Sequence, residues 1–219
     1  MRILVFDMEF ANGKIPGSIY SVGYLVIDEQ FRTLTPPTDL LINPDCEWNE
    51  YVMAHILAYP KELVEASPTF DSVYGEVCSL VEGADLVVGF SISNDIRALR
   101  AACERYGVKP PEFTWLDAER LCKVSDMHRG AHGLEGCFRA WCADERVPDD
   151  RHRSDVDAYM TARLLEAICR AYHVDASMIR DAYPECGGET AVGEGQKKKK
   201  HKKRHERCPK KRKKEDVSS

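Results

Sequence analysis

At 219 residues with 43% hydrophobic side chains, the chain is long enough to bury one real core, and 31 Lys and Arg against 36 Asp and Glu leave a formal charge of −5. No run of 18 apolar residues occurs, which excludes an α-helical span. "MRILVFDMEF" meets an acid too soon for a signal-peptide core, so a cytoplasmic protein is expected. The nine cysteines are odd in number, irregularly spaced and without a C-x-x-C pair, which speaks for reduced thiols rather than a disulfide framework or zinc site.

In chain order, "RILVFDME" is a short apolar run of strand type, "SIYSVGYLVID" is alternating and β-branched, and "DLLINP" ends a third strand before a proline. Their closeness suits an antiparallel meander. "SPTFDSVYGEVCSLVEG" predicts a helix with a serine cap, Phe70, Val73, Val77 and Leu80 or Val81 inward, and a stop at Gly83. "ADLVVGF" reads as a buried strand. "SNDIRALRAACERYG" is a helix with Ile96, Leu99, Ala102 or Cys103 and Tyr106 on its apolar face, stopped by Gly107. "EFTWLDAERL" is a short strand running into a helix, "HGLEGCFRAWC" another helical segment, and "HRSDVDAYMTARLLEAICRAYHV" the longest helix. The order βββ-α-β-α-β-α-α predicts an α/β fold, a mixed five-stranded sheet with three antiparallel strands, then two parallel ones, flanked by helices.

The folded body is expected over residues 1–184. Residues 185–196, rich in glycine and acids, read as a flexible linker. Residues 197–219 form a polybasic tail expected to be disordered alone. Within it, 197–214 hold 13 Lys and Arg and one Glu, so an acidic body carries a strongly basic end. His201 and His205 lie four apart in that cationic tract and are not read as a metal site.

Certain acids stand in unusual places. Asp7 and Glu9 have the same parity, so both leave one face of the first strand beside a core. Two carboxylates there are costly unless cations neutralise them, and hard divalent ions prefer oxygen ligands. Alone, a D-x-E reads more simply as a strand end in solvent. Asp95 opens a helix, where the macrodipole favours an acid whatever its role. His152 lies five residues before Asp157, about 1.4 helical turns, so the two converge if His152 sits in the loop or first turn leading into the helix.

In that order, Asp7, Glu9, Asp95, His152 and Asp157 resemble the DEDDh branch of the 3′–5′ exonucleases, the family of the proofreading exonuclease subunit of bacterial DNA polymerase III and of ribonuclease T. "VFDMEFANGK…SIYSVGYLVID" resembles the first motif, "GFSISNDIRAL" the second and "HRSDVDA" the third. "MAHI", "SPTF", "WLDAERL" and "HGLEGCFRAWC" are similar to landmarks between them. The chain departs from the pattern at Phe90, Ser91 and Asn94, where the second motif often carries His, Asn and an aromatic. It departs again at Phe10, where Thr often follows the Glu.

The resemblance implies a ribonuclease H-like fold and release of nucleoside 5′-monophosphates from a 3′ end of DNA or RNA. It implies two Mg²⁺ (or Mn²⁺) held by Asp7, Glu9, Asp95 and Asp157, Asp7 being the shared ligand, with the ions about 3.5–4 Å apart. His152 would act as general base. Substrate contacts would fall to Phe10, His55, Ser91 and Asn94. Phe10 reads equally well as core, and His55 as a loop hydrogen-bonder. Asp155 reads as solvated or as a neighbour of the ligands, and Asp117 as structural. The tail fits non-specific contact with nucleic acid by counterion release. A polymerase partner and a free-standing enzyme both suit the chain. So do two other readings of the same fold, a non-catalytic nucleic-acid-binding or regulatory module and an endonuclease.

Overall fold

The computed structural model describes residues 1–190 apart from 125, 126, 128, 129 and 151. The strands are β1 (Arg2–Phe10), β2 (Ile19–Asp28), β3 (Thr33–Leu41), β4 (Leu86–Gly89), β5 (Thr114–Asp117) and β6 (Gly187–Glu189). The helices are α1 (Glu50–His55), α2 (Lys61–Glu65), α3 (Phe70–Glu82), α4 (Ser93–Tyr106), α5 (Ala118–Val124), α6 (Gly133–Trp141), α7 (Ser154–Tyr172) and α8 (Ile179–Ala182). They form one mixed sheet in the order β3-β2-β1-β4-β5-β6. The first three strands are antiparallel, β4 and β5 run parallel to β1, and β6 is antiparallel to β5.

Alternation along β1 sorts the core. Ile3 and Val5 pack with Leu25, Ile27, Leu121, Cys137, Ala158, Ala162 and Leu165 on one face. Leu4, Phe6 and Met8 pack with Phe70, Val77, Leu99 and Ala102 on the other. Burying such side chains stabilises the fold by about 1.5–3 kcal/mol each, so a central strand with both faces covered is strongly fixed in register. Asp7 and Glu9 continue the row of Ile3 and Val5, on the face that α7 covers.

The sheet has six strands rather than the expected five, and the sixth lies inside the stretch expected as a linker. Its glycines, which read as flexibility, permit close packing at a sheet edge. A Cβ at Gly187 would meet the Trp115 carbonyl oxygen at 2.7 Å, and one at Gly188 would meet the Trp115 ring at 2.8 Å. Thr190 then receives the Phe113 N–H at 2.8 Å, and its carbonyl accepts Arg100 Nη2 at 2.6 Å. The rest of the expected linker and the basic tail lie outside the described residues. Two shorter differences have local causes. α3 begins at Phe70 rather than at the expected serine cap, and the hydroxyl of Thr69 at its N-cap donates to Asp71 at 2.6 Å. β3 runs through Pro36 and Pro37, which an edge strand tolerates.

Among the described residues eight cysteines are free thiols, and no helix is long and apolar enough to cross a membrane.

Among the described glycines, the closest backbone approach is at Gly23, between β2 and α7. A Cβ at Gly23 would lie 1.8 Å from the Ser154 carbonyl carbon and 2.0 Å from the Asp155 nitrogen. Both are backbone atoms, so no side chain can swing aside. Gly23→Ala is expected to destabilise the protein by about 3 kcal/mol or more, the upper range for overpacking. That corresponds to a fall in Tm on the order of 10 °C for a chain of this size. Thermal unfolding followed by circular dichroism checks this, and an unchanged Tm would contradict the packing.

Candidate active site

The site forms where β1 outruns its neighbour. β4 pairs with β1 from Ile3 to Val5, and the chain then turns at Gly89 toward α4. The turn is held by Ser91, whose φ of +57° is left-handed. Its N–H donates to Asp117 Oδ1 at 3.1 Å and its hydroxyl donates to Glu119. Asp117, buried at the end of β5, also accepts the N–H groups of Glu119 at 3.0 Å and Arg120 at 3.3 Å, capping α5. One turn later comes Asp95, buried at the start of α4.

The third component comes from α7. In the sheet, Asp7 lies opposite Gly23 and Glu9 opposite Ser21. Because Gly23 has no side chain, the first turn of α7 rests on the strand and carries Asp157 over the end of β1. His152 stands in the loop before the helix, exposed, with φ of +66°. Glu9, His152 and Asp157 each bring one ligand atom within 4.8 Å of the others. That distance suits a shared cation.

Electrostatics draw Asp7 and Asp95 into the same group. Burial holds the Asp7 carboxyl well above the usual range, and the charges adding to this are those of Asp95, Asp157, Glu9 and Asp39. Burial likewise raises Asp95, and Glu9 adds to it. Glu9 is pushed up to about 8 by burial, then by Asp157 and Asp39. Asp157 is pushed up to about 6 by burial and Asp155, against a lowering hydrogen bond from the His152 backbone. The charges that act most strongly on Asp7 are all acidic. Such a cluster is stable when protonated or when a hard cation replaces the protons. The four carboxylates suit a hard divalent ion such as Mg²⁺ or Mn²⁺ as a donor set.

The expected substrate contacts are scattered. Phe10, half-buried, and Asn94, exposed, line a cavity of about 380 Å³ between residues 12–18 and α4. Ser91 does not join them, since both its polar groups hold the β4–α4 turn. His55 is exposed at the end of α1 with its ring 4.7 Å from that of Tyr51. On another side, His152 and Asp157 border a cavity of about 250 Å³ with His132, Glu135 and Met160. A larger cavity, about 690 Å³, is remote from these acids, between the β2–β3 turn and the end of α7. Asp155 is buried rather than solvated, and Arg153 Nη2 pairs with it at 3.0 Å. Asp39 is the neighbour that sequence spacing did not reveal. It lies opposite Gly23 on β3, so the register that places it is visible only once the strands pair.

Compared by sequence, the chain matches no family model and no curated protein. Its fold does match solved structures. The nuclease domain of 3′hExo, described as a DEDDh family member bound to rAMP, aligns with a TM-score of 0.60 over 82% of this chain and 92% of that one, at 14% identity. The chain has the fold of the DEDDh 3′-exonucleases. A 3′-exonuclease solved with a histone mRNA stem-loop aligns at 0.60 over 82% of each chain, with 14% identity. E. coli exonuclease I in complex with a dA16 oligonucleotide aligns at 0.62 over 84% of this chain and 43% of that one, with 13% identity.

In this DEDDh fold the raised carboxyls set a pH dependence. Glu9 moves from an ordinary 4.5 to about 8 and Asp157 from 3.8 to about 6. A carboxyl raised in the folded state contributes stability below its ordinary value and loses it as pH rises through the folded value. In EDTA, Tm should therefore fall by several degrees between pH 5 and 8.5, and saturating Mg²⁺ should reduce or reverse the fall, since binding to the folded state stabilises it. Scanning fluorimetry across that range checks both arms. A metal-free Tm that rises with pH would contradict the cluster.

Proposed function

We propose that the chain is a member of the DEDDh family and a divalent-metal-dependent exonuclease that removes nucleoside 5′-monophosphates from the 3′ end of a nucleic acid. The observation that carries this is the convergence of Glu9, His152 and Asp157 at the end of β1, with Asp7 and Asp95 in the same electrostatic cluster. The fold likeness to 3′-exonucleases supports it.

Asp7, Glu9, Asp95 and Asp157 would hold the metal, with Asp7 central because all the other acids act on it. When bound, two divalent ions would neutralise the carboxylates, polarise the phosphodiester and make a bound water acidic near neutral pH. The protein's own part is then positional. Asp95, buried in the first turn of α4, brings a carboxylate from that helix to the same cluster. His152, exposed beside Glu9 and Asp157, accepts the proton of the attacking water. The cavity lined by Phe10 and Asn94 adjoins Glu9 in the chain and offers an apolar ring beside polar groups, a lining suited to a terminal nucleoside. Relatives in fold were solved with RNA and with single-stranded DNA, and either polymer suits this site. A polymerase partner or a cytoplasmic setting is compatible with the reading but no part of its support.

The basic tail would add affinity without sequence preference, each phosphate contact releasing counterions. An acidic body can still act on an anionic strand because the local field at the site would be set by bound cations rather than by net charge.

The test is release of mononucleotides from a 3′-labelled strand in Mg²⁺, run in parallel on single-stranded DNA, duplex DNA and RNA. Asp7→Ala should abolish it, and His152→Ala should lower kcat about 10²–10⁴-fold, the usual contribution of a general base. Absence of cleavage with any divalent ion would leave the non-catalytic module as the reading, and cutting of circular single strands would favour an endonuclease. Deleting residues 196–219 should leave turnover on a dinucleotide unchanged, weaken binding to long strands and flatten its salt dependence. Unchanged long-strand affinity in a salt titration would remove the tail from the proposal.

A further inference from the structure

His152 holds a left-handed backbone conformation, which a non-glycine residue keeps when its surroundings impose it. Those surroundings form a closed ring of contacts. The Ser154 hydroxyl donates to Asp39 Oδ1 at 2.8 Å, the Ser21 hydroxyl donates to the same oxygen, and the Tyr59 hydroxyl donates to Oδ2. Arg153 completes the ring. Its guanidinium carbon lies 5.4 Å from the centre of the Tyr59 ring, and its Nε and Nη2 donate to Asp155 at 3.1 and 3.0 Å. Asp39 comes from β3, Tyr59 from the segment between α1 and α2, and Ser154 opens α7. Asp39 and Tyr59, from two distant parts of the chain, thus meet on the two residues that follow His152.

Both oxygens of Asp39 are taken by hydroxyl donors, so this carboxylate is arranged to hold hydroxyls rather than a metal. Its location is electrostatically poor, because its charge acts against both Asp7 and Glu9. A neutral amide would avoid that repulsion. What the carboxylate adds is strength, since hydrogen bonds to an ionised acceptor are about twice as strong as neutral ones. We infer that Asp39 and Tyr59 are positioning residues that fix the segment 152–155 and so aim His152 at the site. This inference rests on the nuclease reading for its catalytic consequence, while the ring itself does not.

The variants Tyr59→Phe and Asp39→Asn keep the shape of each side chain and remove one part of the ring. In single-turnover cleavage of a 3′-labelled single strand at saturating Mg²⁺, each should lower the rate about tenfold or more, as expected when a reacting group is misplaced. The half-saturating strand concentration should stay within about twofold, because the substrate surface is untouched. In a His152→Ala background Tyr59→Phe, which leaves the charge beside Asp7 and Glu9 unchanged, should cost less than about twofold, because its effect runs through His152. Wild-type rates in either variant, or equal losses from Tyr59→Phe in both backgrounds, would overturn the inference. Amide exchange across residues 152–155 gives a second reading independent of turnover. It should quicken in Tyr59→Phe, and unchanged exchange would overturn the ring as a positioning device. If the wild-type protein cleaves neither DNA nor RNA, the nuclease reading fails instead, and the exchange result alone decides the ring.

Discussion

The first turn of α7 lies on bare backbone at Gly23, and the site is assembled around that contact. β1 supplies Asp7 and Glu9 by parity, but a strand cannot by itself bring a third carboxylate from the far end of the chain. The helix can do so because nothing projects from β2 at Gly23, so Ser154 and Asp155 sit where a side chain would otherwise be. Asp157 then falls within reach of Glu9, and His152 is left in the loop just before the helix. A glycine in the interior of a buried strand weakens it in general. Here the lost side chain is replaced by the packed turn of a helix.

That assembly concentrates like charge, and the surrounding structure is arranged to tolerate it. The acids are spread over β1, α4 and α7, so no single element carries the whole repulsion. Asp39 takes three hydroxyls. Asp155 takes the guanidinium of Arg153, and Asp117, further along the sheet, takes three N–H groups and a contact with Arg120 at 3.4 Å. Glu9 and Asp157, with His152, surround the space suited to a cation, and Asp7 stands in the same electrostatic cluster. Asp39, Asp117 and Asp155 are thus acids supplied with hydrogen-bond donors, and they fix loops and helix starts.

Much of this was legible in the sequence because it follows from periodicity. The parity of Asp7 and Glu9, the Gly83 and Gly107 stops and the long apolar face of α7 are local signals, and the structure places those elements where the signals fall. Two things were not local. β6 carries no apolar pattern, and its glycines matter through the Trp115 ring and carbonyl they approach, far earlier in the chain. Asp39 sits in an unremarkable edge strand, and its relation to Asp7 exists only through Gly23 in the paired register. Ser91 shows the converse. Its place in a motif suggested the groove, whereas the left-handed turn it occupies requires its N–H and hydroxyl for Asp117 and Glu119.

The geometry around the acids of this chain demands few positions. One strand must end in two acids of equal parity, and its parallel neighbour must be short enough to release the next helix early. One position on the antiparallel neighbour must lack a side chain, and a helix must start there with an acid one turn in. Most other positions need only be apolar on the correct face, a condition many side chains satisfy at nearly equal stability. The segment 153–155 departs from that economy. Its serine, arginine and aspartate bind Asp39, Tyr59 and one another by specific hydrogen bonds and ring stacking rather than by generic burial. Polar contacts of this kind fix orientation more narrowly than apolar packing does, and in this fold they adjoin His152.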